Sequence, residues 1–118
     1  MGEEMLWGVK NGDLPTVKKC VENQHVDVNA ELMNGRMALH WAADYGQTEV
    51  IEYLISKGAK GNLPDKHGIT PLLAAVWEGH LEAVGLLVRK GADKGVKTPD
   101  GQKLLEIAET PEMKALLG

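Results

Sequence analysis

The chain is 118 residues long, 43% hydrophobic and 25% charged, with a net charge of -4. That length suits one domain with its own core. The acidic balance argues against nucleic acid, whose binders carry a basic footprint, and no apolar run approaches the ~18 residues of a membrane span.

The first residues, Met1-Gly2-Glu3-Glu4, lack the basic-then-apolar pattern of a signal peptide, and Leu6 stands where a myristoylation start at Gly2 needs Ser or Thr. The single cysteine, Cys20, excludes an internal disulfide and fits a reducing compartment. The expected location is therefore the cytosol. Phenylalanine is absent and aromatics make up only 4%, so the core must be aliphatic and alanine-rich, which suits thin, closely stacked helices.

Trp7, Gly12, Val17 and Cys20 lie 34 residues before Trp41, Gly46, Ile51 and Leu54. By Val26 and Asn29 the spacing to Ala59 and Asn62 is 33, so one extra residue lies between Glu22 and His25. From Gly35 onward the step is 33: Gly35, Gly68 and Gly101; Gly46 and Gly79; Gly58 and Gly91; Leu39, Leu72 and Leu105; Ala42, Ala75 and Ala108. A fixed period of this length is the mark of a stacked repeat array. Each unit predicts two short helices parted by glycine. Thr70-Pro71 is a helix start, with Thr as N-cap and Pro at the first helical position. Val50, Ile51, Leu54 and Ile55, then Val84, Leu87 and Val88, give the second helices one apolar face. Gly58 and Gly91 stop those helices after Lys57 and Lys90. Asp65-Lys66-His67-Gly68 and Pro99-Asp100-Gly101 read as turns between units. At the far end Lys114-Ala115-Leu116-Leu117 aligns with Val84-Gly85-Leu86-Leu87 about three residues early, which predicts a truncated last unit. Terminal units of an array must shield the stack and so deviate.

These motifs resemble the ankyrin repeat. Gly68-Ile69-Thr70-Pro71-Leu72, Gly79-His80-Leu81-Glu82-Ala83-Val84 and Gly91-Ala92-Asp93 follow its pattern, as does Leu39-His40-Trp41-Ala42-Ala43 in the unit before. The resemblance implies an all-α solenoid of four stacked helix-turn-helix repeats with short turn or hairpin fingers. The whole chain, 1–118, is expected to be one domain with repeats at about 1–34, 35–67, 68–100 and a truncated cap at 101–118. Met37-Ala38 replaces Thr-Pro and Leu73 replaces His, so no repeat holds both members of the usual Thr–His pair, and local capping is expected to be weaker.

A narrower resemblance, to small cytosolic ankyrin inhibitors of heterodimeric actin capping protein, is carried by Lys10-Asn11-Gly12-Asp13-Leu14, Pro64-Asp65-Lys66-His67, Lys90-Gly91-Ala92-Asp93-Lys94 and the atypical ends. It implies a monomeric, non-enzymatic module that sequesters capping protein and so promotes barbed-end actin assembly, in the cytoplasm with access to the nucleus. A link to Rel-type transcription factors comes with it. A Rel-factor or kinase inhibitor and a purely structural or engineered scaffold remain the alternatives.

In an array the core positions recur, so the positions that do not recur are the candidates for function. In the first helices one slot holds Trp7, Trp41 and Ala74, a second holds Lys10, Asp44 and Trp77, and a third holds Asn11, Tyr45 and Glu78. If these helices line a concave face, the slots face solvent. All three tryptophans fall in them, and exposed Trp and Tyr near acidic groups are what interfaces use as anchors. The turns add Glu31, Leu32, Met33, Asn34 and Arg36, then Lys66, His67 and Ile69, then Asp100 and Gln102. The expected partner-binding set is Trp7, Glu31, Met33, Asn34, Arg36, Trp41, Asp44, Tyr45, Lys66, His67, Trp77 and Glu78. On this reading Trp41→Ala and Asp44→Lys weaken binding with little loss of stability. Leu32-Met33 at a turn tip either contacts a partner or folds back on Trp41.

Residues for chemistry are few. His25, His40, His67 and His80 show no metal spacing with one another or with Cys20. Cys20 aligns with Leu54 and reads as a core residue. The one serine, Ser56, has no nucleophile context, and no phosphate loop is present. No cofactor, metal, nucleic acid or membrane is expected.

Overall fold

The computed structural model describes residues 2–118. Each unit contributes one inner and one outer helix. The inner helices are α1 (Gly2–Asn11), α3 (Ala38–Asp44), α5 (Pro71–Trp77) and α7 (Leu104–Ile107); the outer ones are α2 (Leu14–Lys18), α4 (Thr48–Ser56), α6 (Leu81–Arg89) and α8 (Pro111–Leu117). Inner packs on inner along the stack and outer on outer, giving two helical layers with extents of 41 × 25 × 20 Å. The core lies between the layers. Leu39 and Leu72 meet Val50, Ile51 and Leu54 of α4 and Val84 and Leu87 of α6, all fully buried at helical spacing.

The short hairpin before α3 pairs β1 (Glu31–Met33) with β2 (Arg36–Met37). Asn34 and Gly35 turn it with φ of 57° and 71°, the two positive values that a two-residue hairpin turn demands. Its successors are looser fingers. Asp65 N–H donates to Ile69 O at 2.8 Å in one, and Thr98 N–H to Gln102 O at 2.9 Å in the next.

The extra residue in the first unit lies where the register placed it. In the second and third units the chain leaves the outer helix through Ala59 N–H to Leu54 O and Ala92 N–H to Leu87 O, both at 2.9 Å. In the first unit the equivalent bond is Val26 N–H to Cys20 O at 3.0 Å, one residue longer. Residues Lys19–Asn23 absorb the insertion as a π-helical turn. His25 then occupies the left-handed cap that Gly58 and Gly91 fill elsewhere, at φ 56°. A Cβ in that region strains the backbone, so His25→Gly is expected to stabilise the protein by about 0.5–1 kcal/mol. A urea unfolding midpoint that rises is the predicted result; one that falls means the histidine makes a compensating contact.

The capping differs unit by unit, as the Thr–His split predicts. Thr70 Oγ1 accepts from Leu73 N–H at 3.2 Å. Met37 has no such oxygen; instead its own N–H donates to His40 Nδ1 at 3.1 Å. Between units, asparagines form a ladder. Asn29 Oδ1 accepts from Lys60 N–H and its Nδ2 donates to Gly58 O, and Asn62 repeats both bonds to Asp93 and Gly91. Gln47 and His80, one period apart, each reach back to a carbonyl at the end of the preceding inner helix, Lys10 O at 2.8 Å and Asp44 O at 2.9 Å.

The last unit is shortened inside α7, which runs four residues where α3 and α5 run seven. Those three residues account for the early arrival of α8. The register at Leu105 holds but its burial does not: Leu105 is 43% exposed, while Leu104 is buried. Leu39 and Leu72 are covered by the unit that follows each, and among the described residues no such unit packs on α7.

Candidate functional site

The three inner-helix slots do not share one environment. Trp7, Tyr45 and Trp77 are 54%, 45% and 44% exposed. Trp41 is only 8% exposed, against the expectation that its slot faces solvent. The reason lies in the stacking. Lys10, from the preceding inner helix, places its Nζ 4.5 Å from the Trp41 ring centroid, and Arg36 places its guanidinium carbon 5.0 Å from it. Both cations lie within reach of the ring's electron-rich π-system and cover the indole. Trp7 holds the same slot in the first unit, where no helix among the described residues covers it. The two tryptophans therefore separate in a mutational test. Trp41→Ala is expected to cost about 3–5 kcal/mol as a core truncation, whereas Trp7→Ala stays within about 0.5 kcal/mol, as surface changes do. Equal losses in urea unfolding would refute that contrast.

Arg36 and Asp44, both expected to face a partner, are engaged within the protein. The Arg36 Nε lies 3.1 Å from Asp65 Oδ2 and its Nη1 lies 3.6 Å from Asp44 Oδ2, with the Arg36 side chain 13% exposed. This cluster hinges on Asp65, whose place in the sequence predicts only a turn. Asp65 is buried, and its Oδ1 accepts from His67 N–H at 2.8 Å and Ile69 N–H at 3.0 Å. Burial alone would raise its carboxyl pKa; the Ile69 and His67 N–H donors and the Arg36 guanidinium outweigh burial and hold it below the usual range. The signal was present: an Asp two residues before His67 and four before Ile69, at a finger base, matches an Asx turn.

The fingers themselves are solvent-facing. Glu31, Met33 and Asn34 are exposed at the hairpin, while Leu32 folds back against the core, so the apolar pair at the tip splits. Lys66 and His67 are exposed on the second finger, and Lys66 N–H donates to Gly35 O at 3.3 Å, tying the two fingers together. Behind them His40 is fully buried. Its Nδ1 accepts from Met37 N–H, so the proton sits on Nε2 and is donated to Leu63 O at 2.8 Å. Burial pushes its pKa below the ordinary imidazole value. The exposed set thus runs from Trp7 through Tyr45 to Trp77 and Glu78, and onto Glu31, Met33, Asn34, Lys66 and His67.

Cys20 is fully buried and burial pushes its thiol pKa up, which makes it a poor nucleophile. Among the described residues no group of three or more His, Cys, Asp and Glu is placed to hold a metal ion.

The family model for ankyrin repeats (three copies) matches residues 5–98. The chain belongs to the ankyrin-repeat family. This ankyrin array is 54% identical to myotrophin from Xenopus tropicalis over 118 residues, covering 99% of each chain. It is 40% identical over 92 residues to a 26S proteasome non-ATPase regulatory subunit 10 from Dictyostelium discoideum, covering 77% of this chain and 40% of that one. It is 32% identical over 117 residues to human BCL-6 corepressor-like protein 1, covering 98% of this chain and 7% of that one. The latter two contain the array as part of a longer chain; myotrophin is matched from end to end. The array is a myotrophin-like ankyrin protein and a protein-interaction module, and its variable surface is where a partner would be recognised.

Proposed function

We propose that the protein binds and sequesters heterodimeric actin capping protein, and so favours actin assembly at barbed ends. The observation that carries this reading is the similarity to myotrophin over the whole of both chains, atypical end units included. The exposed surface is suited to it. Trp7, Met33, Tyr45 and Trp77 offer apolar anchors, and Glu31 and Glu78 offer carboxylates without internal ion pairs among the described residues. Asp44 adds a carboxylate shared with Arg36, and Lys66 and His67 supply polar contacts at the rim. Under this reading the protein acts as a monomer without catalysis, in the cytoplasm.

The test is a titration of this protein into purified capping protein, read by tryptophan fluorescence at two salt concentrations. Saturable binding that weakens in high salt is expected, together with renewed barbed-end elongation in an assay that capping protein has arrested. No change up to roughly tens of micromolar, where a Kd corresponds to about -6 kcal/mol, would refute the proposal.

A further inference from the structure

The outer layer carries a groove that meets the proposed partner surface at Trp77 and Glu78 and runs away from the fingers along α6 and α8. Two adjoining cavities of about 540 Å³ and 320 Å³ share Leu81 and Glu112 as their common wall. The smaller reaches from Trp77, at the end of α5, to Met113 on α8. The larger continues between α6 and α8, past Gly85 and Leu116, to Glu52 on α4. Both volumes fall in the range of roughly 300–1,000 Å³ that ligand pockets occupy. Trp77 and Leu81 are large apolar side chains left exposed at its opening.

Gly85 makes the floor of the larger cavity. It sits in the interior of α6, where glycine is a poor helix former, while one period earlier α4 has Glu52. A Cβ added there would meet Arg89 Nη1 at 3.3 Å, which the flexible end of that arginine can relieve by a small shift, and Leu116 Cδ1 and Cδ2 at 3.7 and 4.0 Å, so the backbone itself does not bar a Cβ at this point of the groove wall. A local rule broken without steric need marks a place where the open space itself has a use.

The rim selects the occupant. Glu52, Glu78, Glu82, Glu109 and Glu112 line the two cavities, against Arg89 as the only lining cation. None of the five forms a salt bridge among the described residues. An apolar floor with such a rim complements an apolar anchor flanked by positive charge. We propose that this groove binds a basic segment of a protein partner. An apolar side chain of that segment seats against Trp77 and Leu81, and arginine or lysine side chains beside it face the glutamates. The groove lies at the opposite end of α5 from its finger, so Gly85, Glu109 and Glu112 test it without touching the fingers.

The experiment is fluorescence anisotropy on the full chain, with a labelled short peptide alternating arginine and leucine and a control peptide alternating arginine and serine. Saturable binding of the first, at least about tenfold tighter than the second, is expected. Gly85→Leu should weaken it about tenfold, with its unfolding midpoint measured alongside to show that the fold is kept. The pair Glu109→Lys with Glu112→Lys should weaken it as much, which keeps the test intact if Gly85→Leu fails to fold. Equal affinity for both peptides, or undiminished binding by these variants, would overturn the proposal. So would a concentration-dependent dimer abolished by Gly85→Leu, since the groove would then belong to a second copy of the chain.

Discussion

Asp65→Ala is expected to lower stability by about 3 kcal/mol, the scale of losing one partner of a buried ion pair, with a fall of roughly 10 °C in Tm. Three donors lose their acceptor at once: the N–H groups of His67 and Ile69 and the Arg36 guanidinium. Arg36 keeps only the longer 3.6 Å contact to Asp44, and its grip on the Trp41 ring loosens with it. The effect spreads because Arg36 belongs to the first finger and Asp65 to the second. Asp65→Asn separates the terms. It retains an oxygen for the turn but no charge for Arg36, so it should lose less than the alanine variant. Urea unfolding measures both, and amide exchange at His67 and Ile69 should accelerate most in the alanine variant. A loss below about 1 kcal/mol for Asp65→Ala would mean that water replaces the carboxylate at little cost.

Stability is also expected to fall as pH drops below the ordinary imidazole value of about 6.5, with His40 as the carrier. Its folded pKa is depressed by burial, so between that value and about 6.5 the unfolded chain binds more protons than the folded one. Stability therefore rises with pH across that window and is full above it. The structural cost is specific: protonating Nδ1 removes the acceptor for Met37 N–H while Nε2 still donates to Leu63 O. Asp65, with its pKa held down, adds a second loss at more acid pH, as its carboxylate protonates. His40→Leu should flatten the first window, because leucine does not titrate. At neutral pH it should cost about 1–3 kcal/mol for the orphaned backbone groups. Adding Met37→Thr should recover part of that loss, because Thr70 and Leu73 form that arrangement one period on. Urea midpoints at pH values above and below about 6.5 decide it; equal pH slopes in parent and His40→Leu would remove His40 as the cause.

The fold was legible because an array repeats its own instructions. Thr70 announced its helix through cap chemistry, and Leu39, Leu72, Val50 and Val84 announced the core through spacing. The insertion between Glu22 and His25 was visible as a change from 34 to 33, although its form as a π-helical turn was not. The site was legible only in part. Trp7, Tyr45 and Trp77 are exposed as their slots suggested, and Met33 and Glu31 project at the hairpin. Trp41 shares a slot with Trp7 yet is buried, since periodicity reports position within a unit and says nothing of which neighbour covers it. Asp65 reads along the chain only as a turn residue, while its carboxylate takes the N–H groups of His67 and Ile69 from its own turn and the Arg36 guanidinium from the preceding finger.

The sequence by itself therefore determined the repeat, its two-helix unit, the aliphatic core and the ankyrin class, because these depend on local propensity and on contacts that recur at one fixed step. Tertiary structure alone decided which aromatic rings face solvent, which charges are already paired, and where the outer helices part to leave a groove. Those outcomes depend on what a neighbouring unit places against each side chain: Lys10 over Trp41, Asp65 against Arg36, and α8 beside Gly85. Burial and pairing arise between units, and a pattern read along the chain encodes only what lies within them.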